Sequence, residues 1–334
     1  MGASKLEFLK DIYINVLKSP NPRFLPQDYP DLSGKNVIIT GASSGLGLEV
    51  LRLLLIQHAN IGVVVRNVGK MEAAIENLKK NCKNIEPSEI DLRVHIFEAD
   101  LSDLSSIHDC AVSIVSAFPE LHFVFQNAGI MMPPKGSKSA QGFELQWSTN
   151  VLAPYLLQKY LTPCMLKVSQ KNPNFIPRVI WVSSNAYLSG PGAVGIDFDT
   201  IKLKNPPNYS PMAIYGQSKV GVNFVNYMFA QKYKGKIIST ALHPGILKTG
   251  LQKDFPFIER FIVNHAGRDA SYGAYTEMYA ALSSEVTKEN SGCFIGPQCE
   301  IQDYVNFFKE GTSNGMAEKI VSRIDEQVAP YFKA

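Results

Sequence analysis

Short runs of β-branched residues alternate with helical stretches from Lys35 onward, and this alternation most limits what the chain can fold into. The pattern is typical of βαβ units, which build a parallel sheet with helices on both faces. Seven strands are predicted, at Asn36–Thr40, Ile61–Val65, Leu92–Phe97, Phe123–Gln126, Arg178–Val182, Ile237–Leu242 and Cys293–Ile295. The sequence therefore predicts the α/β class, as a single doubly wound domain with a seven-stranded, mostly parallel sheet.

Composition narrows the function classes. The 334 residues are 45% hydrophobic and 19% charged, which is ordinary for a soluble globule with a large core. With a net charge of +3 and no Lys/Arg block, we expect no nucleic-acid partner. Five cysteines without C-x-x-C spacing and six histidines without an H-x-x-x-H cluster indicate free thiols in a reducing compartment and no structural metal.

The first 33 residues differ from the rest of the chain. Apolar residues recur at helical spacing between Leu6 and Leu17, and four prolines between Pro20 and Pro30 then form a stiff linker. One hypothesis is an interfacial helix on a membrane or lipid droplet, and the other is a helix folded back on the domain. No apolar run reaches the ~18 residues of a membrane span and no secretory signal is recognisable, so we expect a cytoplasmic protein.

A glycine-rich turn follows the first predicted strand, and a helix through Val50 to Leu55 follows the turn. Glycines there permit a tight turn and let the backbone approach a diphosphate, whose charge a helix N-terminus favours. This strand, turn and helix predict dinucleotide binding. The predicted contacts in the turn are Gly41, Ser43, Ser44, Gly45, Leu46 and Gly47.

The ends of the second and third strands bear on the choice of cofactor. The second strand ends without a carboxylate and is followed by Arg66-Asn67, which favours the 2′-phosphate of NADP, although Arg66 can also be a solvated loop charge. After the third strand, Asp100, followed by Leu101, can accept a hydrogen bond from the adenine amino group. It can equally serve as the N-cap of a helix over Ser102–Phe118.

Small or polar residues also follow the fourth and sixth strands. Asn127-Ala128-Gly129 would let a loop lie flat against the cofactor ribose. After the sixth strand, Pro244-Gly245 is predicted to pack on the nicotinamide carboxamide and Thr249 to bind a phosphate. The intervening helical stretch Glu144–Leu166 carries Asn150, whose side-chain amide needs a hydrogen-bond partner if it is buried. A nearby backbone carbonyl can be that partner, which is compatible with a role in holding a water. His243 is expected to be a loop histidine.

Tyr215 and Lys219 are one turn apart at the head of a predicted helix, Ile214–Tyr233, so their side chains share a face. A phenol exchanges protons near neutral pH only if a cation favours the phenolate, and the Lys219 ammonium can do that. The fifth strand ends at Ser183-Ser184, and only one of these serines can face the site because side chains alternate along a strand.

Taken in this order, the motifs resemble those of the short-chain dehydrogenase/reductase family. The match covers roughly Gly34 to Pro297, and within the family the sequence looks most like the retinol dehydrogenase and WW-domain oxidoreductase branch. It departs from that branch at Pro154, because retinol dehydrogenases tend to have Gly-His where this chain has Ala153-Pro154. The resemblance implies a Rossmann-type catalytic domain at residues 34–300, with an N-terminal extension at 1–33 and a C-terminal helical extension at 301–334.

The resemblance also implies roles for four side chains. Tyr215 would be the general acid/base, and Lys219 would lower its pKa and bond the nicotinamide ribose. Ser184 would hold the substrate oxygen. Asn150 would anchor the water of a proton relay.

Two segments bear on substrate and partners. Leu251–His265 is rich in aromatic and aliphatic residues, which favours a lid over a lipophilic substrate, although the same residues can bury the lid against the protein. Ala317–Val328 has helical spacing and can pack on the core, cover the dimer surface that family members commonly use, or dock a membrane.

We therefore expect an NADP(H)-dependent oxidoreductase that interconverts a carbonyl and an alcohol. Its substrate would be lipophilic, of the retinal, steroid ketone or aldehyde type, and it would act mainly as a reductase in lipid metabolism. One alternative is a catalytically idle NADP-binding scaffold, but all four catalytic positions hold competent residues. A sugar-nucleotide epimerase is less consistent, because its turn usually reads G-x-x-G-x-x-G.

Overall fold

The computed structural model describes residues 21–82, 84–201, 209–248, 267–297 and 299–333. The predicted N-terminal helix, the predicted lid and Thr249 lie outside these ranges. One sheet organises the described chain, and its strands are β1 Asn36–Thr40, β2 Asn60–Val65, β3 Val94–Glu98, β4 Phe123–Gln126, β5 Arg178–Val182, β6 Ile238–Leu242, β7 Phe294–Gly296 and β8 Glu300–Gln302.

The strand order is β3-β2-β1-β4-β5-β6-β7-β8, and every pairing is parallel except that of β7 with β8. The prediction of a doubly wound, mostly parallel sheet is confirmed. The sheet has eight strands and not the predicted seven. The prediction relied on β-branched runs that alternate with helical stretches, and this pattern does not reveal a three-residue edge strand such as β8. β8 also begins at the last residue of the predicted catalytic domain, so the sheet extends into the predicted C-terminal extension.

Nine helices of seven or more residues are present in the described ranges. They are α1 Gly45–Ile56, α2 Val68–Asn81, α3 Pro87–Arg93, α4 Ile107–Ala117, α5 Ala153–Lys171, α6 Pro211–Lys232, α7 Ala270–Leu282, α8 Asn306–Ser313 and α9 Met316–Val328. Shorter helical turns precede α5 and follow β5, and both belong to the candidate site. None of the described helices is long and apolar enough to cross a membrane.

The core has two layers, one on each face of the sheet. Successive residues of β1 point to opposite sides, so that Ile38 packs with α4, α5 and α6 while Val37 and Ile39 pack with α1, α2 and α7. We call the first side the front layer and the second side the back layer. The catalytic candidates on α6 therefore belong to the front layer.

Both extensions are held against the domain where they are described. Arg23 donates to the Cys299 carbonyl at 3.0 Å and contacts the Glu285 carboxylate at 2.6 Å, which fixes the linker on the back layer. At the other end of the chain, α9 packs against α5 and α6 in the front layer, and Tyr155 of α5 donates to the Asp325 carboxylate at 3.1 Å. Of the three predictions for this C-terminal helix, packing on the core is the one observed.

Candidate active site

The glycine-rich turn joins β1 to α1 with two residues in the left-handed region, Gly41 at φ 75° and Gly45 at φ 58°. Glycine is the residue that adopts this backbone without strain. A side chain at Gly47 would place its Cβ 2.5 Å from Asn127 Nδ2 and 2.6 Å from the Gly41 carbonyl oxygen, so the turn is closed tightly on its neighbours. The first turn of α1 thus lies directly behind the glycine-rich loop.

Asn127 ties the loop after β4 to this turn. Its Nδ2 donates to the Thr40 carbonyl at 2.7 Å, and the Ala128 amide donates to Thr40 Oγ1 at 2.9 Å. The predicted dinucleotide contacts at Gly41 and at Asn127-Ala128 are therefore brought together at the carboxyl ends of β1 and β4, as expected for ligand sites in open parallel sheets.

Basic groups gather where β2 ends. Arg66 and Asn67 are exposed directly after the strand, and Asn67 caps α2 by accepting from the Lys70 amide at 2.8 Å. Lys70 Nζ donates to Ser44 Oγ at 3.0 Å, so a second cation reaches the glycine-rich turn. The sequence reading missed Lys70. The sequence signal for Lys70 is its position in the first turn of the helix that Asn67 caps.

Asp100 does not cap the following helix. Its carboxylate accepts from the Ser102 amide at 2.9 Å and from the Ser102 hydroxyl at 2.7 Å, while Asp103 caps the turn that leads into α4. The N-cap alternative for Asp100 is therefore wrong, because the helix begins later than its apolar spacing suggested. Leu101, next to Asp100, is buried.

The serine and tyrosine of the predicted catalytic set lie together. Ser184 is half-buried and its hydroxyl is hydrogen bonded to that of Tyr215, whereas Ser183 is buried and points away, donating to the Lys219 carbonyl at 3.3 Å. Burial raises the pKa of Tyr215 above its ordinary value, and the Ser184 hydrogen bond partly opposes this rise. Of the two serines, Ser184 is the one that faces the candidate site.

Lys219 is 4% exposed and lies beside the tyrosine, with Nζ 5.5 Å from the centroid of the Tyr215 ring. It donates to the Val182 carbonyl at 2.8 Å, and burial lowers its pKa to about 8. Burial is the largest influence on the pKa of Tyr215, and the lowering of that pKa by Lys219 stays a prediction. With a pKa near 8, Lys219 remains mostly cationic at neutral pH.

Asn150 lies in a π-helical turn, Ser148–Leu152, that precedes α5. Its amide accepts from the Ile130 N–H at 2.9 Å and donates to the Ile130 carbonyl at 3.0 Å and to Ser218 Oγ at 3.0 Å. A Cβ on Gly129 would lie 3.3 Å from Asn150 Oδ1 and 3.7 Å from Lys219 Nζ, so this loop runs close to both residues. Ser218, between the tyrosine and the lysine, was not singled out from the sequence.

The turn after β6 closes the other side of the site. Gly245 has φ 94°, and a side chain on Gly273 of α7 would contact Leu46 at 3.0 Å and Pro244 at 3.1 Å. Pro244-Gly245 therefore lies near the first turn of α1. His243, just before them, is buried, and burial together with the Lys219 charge lowers its pKa to about 4, so it is neutral near pH 7. Among the described residues, no three His, Cys, Asp or Glu side chains form a group that could hold a metal ion.

Comparison with known proteins gives consistent matches. The family model for short chain dehydrogenase matches residues 35–194. A short-chain dehydrogenase/reductase of Phomopsis amygdali is 34% identical over 97% of this chain and 98% of its own length. This relative aligns with both extensions as well as with the sheet.

Two solved structures share the fold. A short chain dehydrogenase of Shigella flexneri, complexed with NADP, superposes with a TM-score of 0.60 at 18% identity, covering 81% of this chain and 99% of its own. A 3-ketoacyl-(acyl-carrier-protein) reductase of Brucella melitensis, complexed with NADH, has a TM-score of 0.59 at 20% identity, covering 79% and 96%. At these identities the likeness concerns the fold, and the same fold accommodates both cofactors.

Proposed function

The chain belongs to the short-chain dehydrogenase/reductase family of oxidoreductases, and from this premise we propose that it is an NADP(H)-dependent enzyme that interconverts a carbonyl and an alcohol. One observation carries the proposal: the Ser184 and Tyr215 hydroxyl groups are hydrogen bonded beside the buried Lys219 ammonium. Two hydroxyl donors that converge on one point suit a substrate oxygen on which charge develops.

The residues of the site fit a dinucleotide. The left-handed Gly41 and Gly45 and the first turn of α1 form a cradle for a diphosphate, and Gly129 lets its loop run close to Lys219, which would bond a ribose. We propose that the Arg66 guanidinium and the Lys70 ammonium bind the 2′-phosphate of NADP, because no carboxylate follows β2 to accept ribose hydroxyls. Asp100 would bind the adenine amino group, with Leu101 against the adenine ring.

The remaining proposed cofactor contacts rest on the sequence motifs. Ser43, Ser44 and Leu46 would line the diphosphate and nicotinamide side of the glycine-rich turn. Pro244-Gly245 would pack on the nicotinamide carboxamide, and Thr249 would bind a phosphate.

The proposed chemistry divides among the four residues. When bound, the nicotinamide ring supplies the hydride in the reductive direction. Tyr215 donates its proton to the substrate oxygen, Ser184 donates a hydrogen bond to that oxygen, and the Lys219 cation stabilises the phenolate that remains. Asn150 would hold the water that returns the proton. The backbone carbonyl of Asn150 lacks the N–H donor that an α-helix normally provides, because the residue four positions later is Pro154 and has no N–H.

We propose a lipophilic substrate of the retinal, steroid ketone or aldehyde type, in lipid metabolism, and mainly reductive turnover. The support is the likeness of the motifs to the retinol dehydrogenase branch and the apolar composition of residues 251–265. We further propose a cytoplasmic protein whose N-terminal segment, residues 1–33, carries a helix that either packs on the domain or touches a membrane or lipid droplet peripherally. A homodimer would have to use a surface other than the part of α5 and α6 that α9 covers.

The test of the proposed function is NADPH consumption across retinal, steroid ketones, long-chain aldehydes and small quinones, with Tyr215→Phe measured beside the native protein. Loss of the phenol proton should lower kcat about 1000-fold while NADPH affinity stays within a factor of two to three. Tyr227→Phe, on the same helix but away from Ser184, is the matched control. Tight NADPH binding without turnover of any carbonyl would favour the idle scaffold, and full activity of Tyr215→Phe would show that another group is the acid.

A further inference from the structure

Aromatic rings from the C-terminal extension contact the turn that follows Ser184. We call residues Tyr304–Phe308, at the start of α8, the C-terminal hook. The Tyr187 ring centroid lies 6.1 Å from that of Phe307, 6.4 Å from that of Tyr304 and 5.4 Å from that of Phe294 in β7. Tyr187 and Phe307 are both almost fully buried, at 3% and 5% exposure, so these contacts form part of the core.

The hook is also fixed to α6, the helix that carries Tyr215 and Lys219. Phe308 stacks on Phe224 with centroids 4.4 Å apart and on Tyr304 at 4.0 Å. Asn226 Nδ2 donates to the Tyr304 hydroxyl oxygen at 3.2 Å. Stacked rings and a buried hydrogen bond hold the hook in one position relative to the catalytic helix.

Tyr187 is coupled directly to Ser184 through a short 3-10 turn, Asn185–Ser189. Ser184 caps this turn: its hydroxyl accepts from the Ala186 amide at 3.1 Å and its carbonyl accepts from the Tyr187 amide at 3.1 Å. A change in the packing of the Tyr187 ring therefore changes the backbone on which the Ser184 hydroxyl is mounted.

From these contacts we infer that the C-terminal hook is a positioning element for Ser184, with Phe307 as its central residue. This inference rests on the proposed function, because it assigns the hook to the serine that would hold the substrate oxygen. The hook fills the space outside the 3-10 turn while α6 supports its inside. The distance between the Ser184 and Tyr215 hydroxyl groups is set between these two supports.

The sheet order places the hook away from the residues proposed to bind the diphosphate and adenosine of the cofactor. Phe307 contacts Tyr187 and also lies near Gly195, where an added Cβ would be 3.3 Å from the Phe307 ring. The candidates for the diphosphate and adenosine end of the cofactor follow β1, β2, β3 and β4, whereas Tyr187 and Gly195 follow β5. A defect at the hook should therefore act on the substrate step and leave NADPH binding unchanged.

The test compares Phe307→Ala with Phe118→Ala. Phe118 is 4% exposed in the same front-layer core, but it contacts β3 and not the turn after Ser184. Phe307→Ala should lower kcat about 30- to 100-fold, because a misplacement near 1 Å is enough for such a loss, with Kd for NADPH unchanged. Phe307→Leu should recover most of kcat because it refills the space. Phe118→Ala should lower Tm to a similar extent with kcat reduced less than threefold.

Equal losses of kcat in Phe307→Ala and Phe118→Ala, or full activity in folded Phe307→Ala, would overturn the inference. Hydrogen exchange gives a readout that does not require turnover. The amides of Ala186 and Tyr187 should exchange faster in Phe307→Ala than in Phe118→Ala when each variant is measured the same number of degrees below its own Tm. If the native protein reduces no carbonyl, the proposed function fails, while unchanged exchange at these two amides would exclude the role of the hook independently.

Discussion

The cofactor half of the molecule, from β1 to β4, and the catalytic half, from β5 to α8, build their sites in different ways. In the cofactor half the motif residues make the close contacts themselves, as when Gly47 lies against Asn127 and Gly41. In the catalytic half the motif residues Ser184 and Tyr215 depend on neighbours that belong to no motif, such as Tyr187 and Phe307. Short sequence motifs can thus predict nearly all the close contacts of the cofactor half. In the catalytic half they predict only the reactive groups.

The catalytic half is expected to be the more sensitive to a single added methyl group. A Cβ at Gly216 would overlap the Ala186 carbonyl oxygen and lie 2.9 Å from the Gly190 amide nitrogen, so the turn after Ser184 would have to move away from α6. Gly216→Ala should therefore lower kcat about 100-fold with little change in Kd for NADPH. Steady-state kinetics and fluorescence titration with NADPH would measure the two effects.

Gly69→Ala in α2 is the control, because a Cβ there would meet no atom nearer than 3.7 Å. Weakened NADPH binding in Gly216→Ala, with kcat unchanged, would mean that the two halves are not separable in this way.

A glycine-to-alanine substitution in the cofactor half should instead weaken NADPH binding and leave kcat nearly unchanged. Gly47→Ala forces Asn127 or the Gly41 carbonyl to shift, which moves the turn out of the shape proposed to bind the diphosphate. We expect a roughly 30-fold weaker Kd for NADPH, equivalent to about 2 kcal/mol. At saturating NADPH, kcat should recover to within a few-fold of the native value. A Kd equal to that of Gly69→Ala would show that the tight closure of the turn is not needed for binding.

The difference between the halves also explains how far the sequence could predict the structure. β1, β4 and β5 were predicted with their observed bounds, because buried parallel strands appear as continuous β-branched runs. Where the backbone packs too closely for a side chain, the sequence must have glycine, whatever the neighbouring residue is. The glycine-rich turn could therefore be located from the sequence alone. Tyr187 and Phe307 could not be paired, because an aromatic side chain does not specify its partner over 120 positions of sequence.

The residues of the candidate site divide in the same manner. The geometry brings Tyr215, Lys219, Ser184 and Asn150 to one end of the sheet, although their roles stay predictions. The helix cap at Asp103 and the edge strand β8 were missed, because each is only a few residues long and is decided by local hydrogen bonds. Lys70 was missed because a lysine on an exposed helix usually has no specific contact.

Within the cofactor half, the charge at the end of β2 should affect selectivity more than folding. Arg66→Ala removes an exposed guanidinium that we propose to bind the 2′-phosphate, so KM for NADPH should rise about tenfold while KM for NADH stays the same. Lys80→Ala, which removes an exposed lysine further along α2, is the control. A parallel rise for both cofactors would assign Arg66 to something other than the phosphate.

The smallest effect on activity is expected in the back layer, where a buried carboxyl influences stability. Glu277 of α7 is fully buried in the back layer, neither carboxylate oxygen has a hydrogen-bond partner among the described residues, and burial raises its pKa to about 8. The folded state therefore keeps this proton while the unfolded state loses it above a pKa of 4.5. Because the folded state binds more protons in this window, stability must fall as pH rises from 4.5 towards 8.

Glu277→Gln should remove that pH dependence, since an amide does not titrate. Between pH 5 and pH 7 the native protein should lose about 2 kcal/mol of unfolding free energy that the variant retains, which corresponds to a few degrees in Tm. Thermal unfolding at both pH values would measure it, with NADPH affinity unchanged because Glu277 is fully buried and is not among the candidate cofactor contacts. Identical pH profiles for the two proteins would mean that Glu277 is ionised in the folded state and has a partner that stabilises its charge.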